Sequence, residues 1–250
     1  MALTKVGKEG ITGVSNSSDA TALYIDSSER VGVGATPNAT FGSHLYAQGT
    51  PAANKPIISA YSTGNSNKAG IGILNDAGNR GIWTESNDFL LTTSYEGNST
   101  VHMKIDTNGN ITKPLQPCFS ATAATTNIPL TTSTTVTLSA ERFDQGSNLA
   151  SNTFTAPITG KYLFCYIFYF AEVDADHTTL DVHIKTSNKQ YQQTFSPDHF
   201  LNSDSNFGIS GSMICDMDVN DTCIFTVYVS AGAQQTDIHN DSHVSGVLIC

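Results

Sequence analysis

The ten residues Lys161-Tyr-Leu-Phe-Cys-Tyr-Ile-Phe-Tyr-Phe170 decide the fold of this chain. Successive side chains of a β-strand point to opposite faces. One face of this strand therefore carries Tyr162, Phe164, Tyr166, Phe168 and Phe170. The other face carries Leu163, Cys165, Ile167 and Tyr169. Because a sandwich strand normally buries one face and leaves the other in water, a strand that is apolar on both faces needs a cover on both.

The second cover is expected to come from another copy of the chain in a symmetric oligomer. The alternative is a loop of the same chain lying over that face. The chain ends in Val244-Ser-Gly-Val-Leu-Ile-Cys250, an apolar strand that should be buried near a sheet centre or a subunit axis. We assign the packing between subunits to Tyr162, Phe164, Tyr166, Phe168, Phe170 and Leu248.

The composition favours an all-β protein. Of the 250 residues, 39% are hydrophobic and 14% are charged, against roughly 45–50% and about 25% in an ordinary globular protein. Serine, threonine, asparagine and glycine make up the difference, and these residues disfavour long helices. Short apolar runs separated by turn-forming residues predict a meander of strands over residues 56–112, including 56–61, 69–74, 81–84, 89–91 and 101–106.

The charge balance of 12 Lys and Arg against 22 Asp and Glu gives a formal net charge of −10. Nucleic acid is therefore not an expected partner, since no basic surface is available to neutralise phosphates. No window approaches the roughly 20 apolar residues of a membrane span, and the first ten residues lack a signal-peptide core. We expect no membrane insertion and no export by the usual secretory route.

The prolines of Lys113-Pro-Leu-Gln-Pro117 interrupt the strand pattern, because neither can donate to a sheet ladder. We place a domain boundary there. Residues 1–40 form an expected particle-attachment segment, residues 41–115 a short-stranded β shaft, and residues 116–250 a globular head. All five cysteines lie in the second half of the chain. They are expected to be small buried hydrophobic residues, with one disulfide as the alternative.

Three segments characterise residues 116–250: Cys118-Phe-Ser-Ala121, Phe154-Thr-Ala-Pro-Ile-Thr-Gly-Lys-Tyr-Leu-Phe164 and Ser245-Gly-Val-Leu248. By these segments, residues 116–250 resemble the globular head of complement component one q and the related tumour-necrosis-factor-like jelly rolls. The resemblance implies a jelly-roll β-sandwich of ten strands that assembles as a tight homotrimer. A collagen stalk of Gly-X-Y repeats, usual in the complement proteins, is absent ahead of the head.

Three other segments lie in the amino-terminal and central parts of the chain: residues 11–26, Glu29-Arg-Val-Gly-Val-Gly34 and Met103-Lys-Ile-Asp-Thr-Asn-Gly-Asn-Ile111. These segments are similar to tail-fibre and related virion proteins of bacteriophages. This resemblance implies an amino-terminal part that docks on other virion proteins, a trimeric β shaft and a head that contacts the host. It also implies a location in the virion, after assembly in the host cytoplasm.

Receptor contacts are expected in the loops at the exposed end of the head, since a rigid sheet scaffold leaves such loops free to carry binding. The loops are residues 174–178, 196–206 and 233–242. The candidate contact residues are Asp174, Asp176, His177, Asp198, His199, Asn202, Gln234 and Gln235.

One spacing in the sequence resembles a set of metal ligands. In an extended segment, the period of two would bring the carboxylates and imidazoles of Asp237, His239, Asp241 and His243 to one face, where they could bind a divalent cation. The alternative is a polar loop without a metal. No other cofactor is expected.

The leading hypothesis is a non-enzymatic phage fibre whose jelly-roll head binds a glycan or protein receptor on the host surface during adsorption. No Gly-x-Ser-x-Gly or His-Glu-x-x-His motif of a hydrolase occurs. One alternative is a capsid or tail decoration protein without receptor specificity. A secreted complement-like binding module is another.

Overall fold

The computed structural model describes residues 23–25, 31–33, 45–47, 68–75, 78–93 and 100–250. The chain divides into two compact units, Met1–Ile71 and Gly72–Cys250. The boundaries at residues 40 and 115 stay predictions. The predicted strand at residues 56–61 and residues 11–22 of the segment 11–26, which is similar to phage virion proteins, lie outside the described residues.

The described residues before the head form two small sheets. The first sheet contains β1 (Leu23–Ile25), β2 (Val31–Val33) and β3 (Leu45–Ala47). The second is the expected meander, in which each strand neighbours the next along the chain: β4 (Lys68–Asn75), β5 (Gly78–Glu85), β6 (Asp88–Thr92), β7 (Val101–Ile105) and β8 (Ile111–Thr112). In the turn between β7 and β8, the Asp106 carboxylate accepts hydrogen bonds from the backbone amides of Asn108 and Asn110.

The head contains two facing sheets. The five-stranded sheet has the order β11-β9-β19-β14-β17, and the six-stranded sheet has the order β12-β13-β18-β15-β16, with β10 also paired to β18. The strands are β9 (Cys118–Thr125), β10 (Thr134–Thr135), β11 (Leu138–Gln145), β12 (Leu149–Ala150), β13 (Thr153–Thr155), β14 (Gly160–Val173), β15 (Thr179–Thr186), β16 (Gln190–Phe195), β17 (Ser205–Met217), β18 (Thr222–Ser230) and β19 (Asp237–Leu248).

The strand order of the head is that of a jelly roll. The first long strand, β9, pairs with the last, β19, and β13 pairs with the last but one, β18. The inner pairs β14–β17 and β15–β16 continue the same nesting. This wrapping of consecutive strands between two sheets defines the double Greek key, so the predicted all-β fold with a jelly-roll head is confirmed. The trimeric state of the shaft stays a prediction.

Helical structure is confined to a short 3-10 helix, Pro197–His199, within the part of the chain that the structure describes. No helix in that part has the length and apolar character needed to cross a membrane.

Aromatic rings fill the space between the two sheets of the head. Phe154 stacks on Phe119 with ring centroids 5.2 Å apart and meets Phe164 edge-on at 5.5 Å. Phe164 in turn contacts Phe225 of the opposite sheet at 6.4 Å. Since fully burying one such side chain contributes roughly 1.5–3 kcal/mol, this ring layer is the main source of stability in the head.

The assignment of the Tyr162 face to subunit packing is wrong. Tyr162, Phe164, Phe168 and Phe170 are 0% exposed and Tyr166 is 5% exposed within a single chain. The opposite sheet of the same sandwich covers these rings, so they have almost no surface to offer a partner. Leu248 is half-buried and packs against the same core. The face that stays open is the one carrying Leu163, Cys165, Ile167 and Tyr169.

Candidate oligomer face and receptor-contact end

The outer face of the five-stranded sheet exposes apolar side chains. Ile167 is 60% exposed, Ile214 on β17 is 57% exposed and Phe143 on β11 is 53% exposed. Strand register places these residues on one side of the sheet, because Leu163 lies opposite Ile214, and Phe143 lies opposite Ser120. We call this surface the outer face. It is the second apolar face that the sequence predicted, and the described residues leave it without a cover.

The centre of the outer face contains no charged side chain. On the three middle strands it consists of Cys118, Ser120, Thr122, Leu163, Cys165, Ile167, His243, Ser245 and Val247. The charge pair Lys161–Asp216 closes one end. His243 lies between Thr122 and Ile167, and its Nδ1 atom is buried without a hydrogen-bond partner in the described residues. An apolar and uncharged face of this extent is typical of a protein interface.

The chain enters the head at one end of the sandwich, which we call the proximal end. There the Leu248 amide donates to the Pro117 carbonyl at 3.0 Å, and the Lys161 amide donates to the Cys250 carbonyl at 2.7 Å. Strand β9 has eight residues and therefore spans roughly 25 Å to the opposite, distal end. The loops that follow β14, β16 and β18 all lie at the distal end, since each of those strands runs in that direction.

Side-chain hydrogen bonds tie the three distal loops together. The Asp204 carboxylate accepts from the Ala175 amide at 3.0 Å and from the Gln235 side-chain amide at 2.8 Å. These bonds lower the pKa of Asp204 below its usual value. The Asp198 amide donates to the His177 carbonyl at 3.1 Å. The predicted loops 174–178 and 196–206 and the start of 233–242 thus form one surface.

Two of the predicted receptor residues hold the loops from inside. His177 is 0% exposed, and its ring nitrogens lie 2.7 Å from the Ala231 carbonyl and 2.8 Å from the Thr236 hydroxyl. Asp174 is 8% exposed and accepts hydrogen bonds from the amides of Asp176 and Ala233. Their assignment as receptor contacts is wrong, because their polar atoms are already occupied by the loop backbone.

The other predicted contact residues lie at the distal surface. Five of them are exposed: Asp176, Asp198, His199, Asn202 and Gln234. Gln235 is half-buried beside a polar depression of about 520 Å³, which is also lined by Glu172, Asp204, Ser205 and Asn206. The depression and the exposed side chains form a single polar surface suited to hydrogen bonding.

The distal end carries several carboxylates and, apart from histidines, no basic side chain. Residues 126–133, 172–178, 196–206 and 231–241 contain no Lys or Arg. The same segments contain Glu172, Asp174, Asp176, Asp198, Asp204, Asp237 and Asp241. An anionic ligand would meet like charge there, so the electrostatics of the distal end favour a neutral or cationic ligand.

The predicted metal ligands do not come together in one chain. Between the pairs Ile167–His243 and Ala171–Asp237, β14 has three residues and β19 has five, so a bulge breaks the period of two. The Asp237 carboxylate accepts a hydrogen bond from the Asn127 amide, and His239 contacts Asp241 at 3.3 Å. Among the described residues, no group of three His, Cys, Asp or Glu side chains is placed to bind a metal.

A cleft that the sequence analysis missed opens between the free edges of the two sheets. It has a volume of about 420 Å³ and lies between edge strands β16 and β17. Its lining contains no charged residue and consists of Tyr166, Val182, Ile184, Tyr191, Gln192, Gln193, Gly211, Ser212 and Met213. The available sequence signal was Gly211 inside a strand, which marks a close approach: a Cβ atom there would lie 2.6 Å from the Tyr166 ring.

All five cysteine thiols are free. Cys215 and Cys223 are buried, Cys118 and Cys165 are half-buried, and Cys250 is exposed. The expectation of buried cysteines therefore holds for the first two, and the alternative of one disulfide does not hold.

Comparisons with known proteins give similarity in structure only. No family model and no curated protein matches the chain. The globular domain of zebrafish complement 1qA protein is 17% identical over 54% of this chain and 98% of its own, with a TM-score of 0.41. Murine APRIL at pH 8.0 is 12% identical, covering 54% and 99% of the two chains, with a TM-score of 0.39. The vertex protein P5 of PRD1 is 12% identical, covering 54% and 97%, with a TM-score of 0.36.

Proposed function

We propose that this chain is a non-enzymatic bacteriophage fibre protein, a homotrimer whose jelly-roll head binds a host-surface receptor during adsorption. Its amino-terminal end joins other virion proteins, and the particle is assembled in the host cytoplasm. The observation that carries the proposal is the arrangement of the head: an uncovered apolar face on its side, and a tied set of polar loops at the end farthest from the chain entry.

The outer face supports the oligomer. Exposed Phe143, Ile167 and Ile214 on one flat sheet lose water contact when another copy packs against them, and each buried apolar Å² contributes about 25 cal/mol. The two edges of this sheet are different: strand β11 carries Phe143 at one edge, and strand β17 carries Ile214 at the other. A ring of three copies can therefore close by joining unlike edges around an axis parallel to the strands.

The distal end supports the receptor role. In such a ring, three copies of the loop surface point the same way, away from the entry of each chain into its head. Loops held by buried Asp174 and His177 keep a fixed shape, which limits the entropy lost on binding. Three weak contacts then act together through avidity.

The oligomeric state gives the first test. Sedimentation equilibrium of the purified full chain, in neutral buffer and over a range of concentrations, should give three times the 26.6 kDa chain mass. A stable monomer at all concentrations would contradict the proposal.

Adsorption gives the second test. Fluorescently labelled protein should bind the surface of susceptible strains in a bacterial panel and compete with phage for adsorption. A variant with Asn202→Ala and His199→Ala at the distal end should bind those cells less, and Lys185→Ala on the exposed side of the head should not. Binding to no strain, or equal binding by both variants, would reject the receptor role. Antibody labelling of virions without any cell binding would identify a decoration protein instead.

A further inference from the structure

We propose that the edge cleft of one copy receives Phe143 of the next copy in the trimer. The inference rests on the proposed homotrimer and names the contact that closes it. The cleft and Phe143 lie at opposite edges of the five-stranded sheet, on β17 and β11. A ring of identical subunits needs two such different surfaces that fit each other.

The two surfaces lie at the same height along the strands. Strand register connects Phe143 to Ser120, Ser120 to Ser245, Ser245 to Cys165 and Cys165 to Ser212 in a single row across the sheet. Ser212 lines the cleft. Rotation about an axis parallel to the strands does not change height, so Phe143 of one copy arrives level with the cleft of its neighbour.

The chemistry of the two surfaces also matches. Phe143 is a large aromatic side chain that is 53% exposed in one chain. The cleft offers an aliphatic and aromatic wall from Val182, Ile184, Tyr191 and Met213 and contains no charged group. The volume of the cleft, about 420 Å³, exceeds that of a phenyl ring. An aromatic residue that fills a pocket of this kind is the usual centre of binding energy in an interface.

The cleft lies where a neighbour can reach it. Both β16 and β17 end their sheets, so no strand in the described part of the chain covers the opening. Met213 is 38% exposed at the mouth, and Ile214 beside it belongs to the outer face. The cleft is therefore continuous with the face that the proposed trimer buries, and one interface covers both.

The test compares two phenylalanines of equal size and similar exposure. Phe143→Ala should raise the dissociation constant of the trimer roughly tenfold or more, measured by sedimentation equilibrium. Phe200→Ala, which removes a ring that is 51% exposed at the distal end, should leave the constant unchanged. Circular dichroism should show that both variants keep the β-sheet spectrum, since neither ring belongs to the buried core.

A charge exchange identifies the partner surface. Phe143→Glu alone and Ser212→Lys alone should each dissociate the trimer, and the double variant should restore it in part. If the wild-type chain is a trimer but Phe143→Ala behaves like Phe200→Ala, this contact is wrong and the proposed trimer stands. If the wild-type chain is a monomer, both fail.

Discussion

The Tyr166 hydroxyl donates a hydrogen bond of 2.5 Å to the side-chain oxygen of Gln193, and this bond links the two sheets at their open edge. Tyr166 belongs to the strand that decides the fold, and Gln193 belongs to edge strand β16. Burial of Tyr166 raises the pKa of its hydroxyl, so the group stays protonated and remains a donor at neutral pH. The bond fixes the floor of the cleft.

Tyr166→Phe should lower the free energy of unfolding by about 1 kcal/mol, because a part-buried hydrogen bond is lost while the ring remains. Urea denaturation at fixed protein concentration measures the change. Tyr169→Phe is the matched control, since that hydroxyl accepts a hydrogen bond from the exposed Asn206 side chain, and its loss should cost less. Equal effects of the two substitutions would contradict a structural role for the bond between Tyr166 and Gln193.

Gly211→Ala should destabilise the head by roughly 1–3 kcal/mol, because overpacking forces neighbouring groups to move. The added Cβ atom would lie 2.6 Å from the Tyr166 ring. Gly208→Ala lies on the same strand, and its nearest neighbour would be the Phe168 carbonyl at 3.7 Å, an ordinary contact. Thermal unfolding should therefore separate the two alanine variants. If Gly208→Ala were as unstable as Gly211→Ala, the loss of stability would come from placing alanine in strand β17 and not from the contact with the Tyr166 ring.

The sequence predicted the alternation of β14 correctly, but not which face lies inside. Both faces are apolar, so periodicity alone treats them equally. Ring size decides the outcome, because the five large aromatic side chains fill the space between two sheets, whereas Leu163, Cys165 and Ile167 leave a flatter surface outside. The predicted interface was therefore assigned to the wrong side of a correctly predicted strand.

The metal site predicted on Asp237, His239, Asp241 and His243 is wrong for another reason. The period-two argument assumes regular pairing, and the two extra residues of β19 opposite Phe168 and Tyr169 are visible only once the partner strand is known. The position of the distal loops could be predicted from the sequence, because polar segments follow each strand. The burial of His177 could not, since the Ala231 and Thr236 partners lie more than fifty residues away.

His177→Ala should loosen the distal loops. It removes two hydrogen bonds and leaves a cavity at the site of a fully buried side chain, so the free energy of unfolding should fall by about 2–4 kcal/mol. Amide hydrogen exchange should accelerate in residues 174–178 and 231–236 and not in β9. His199→Ala, whose side chain is 80% exposed, should change neither quantity. Unchanged exchange in His177→Ala would show that the loops are held by other contacts.

The bonds of Asp204 should make one loop contact sensitive to acid. Its folded pKa is lowered below the ordinary value of 3.8, chiefly by the hydrogen bond from the Ala175 amide. A carboxylate with a lowered folded pKa stabilises the fold above the unfolded pKa, and this contribution is lost as pH falls through the folded value. The Ala175 amide shift in NMR should therefore stay constant down to about pH 4 and titrate below it. Asp204→Asn should abolish that titration, and a midpoint above 4 would contradict the assignment.

Alkylation of the cysteines should report both the core and the proposed interface. Burial raises the pKa of the Cys215 thiol to about 11 and that of Cys223 well above its usual value. Iodoacetamide attacks the thiolate, so these two residues should stay unmodified at pH 8 until the protein unfolds. Exposed Cys250 should react at once.

Cys165, half-buried on the outer face, should be protected in the wild-type trimer and react in Phe143→Ala at concentrations where that variant dissociates. Lys189 is the last Lys or Arg of the chain, so the sites are distinguished by mass spectrometry after cleavage on the amino-terminal side of Asp residues. A Cys165 that reacts equally fast in both proteins would place the interface elsewhere.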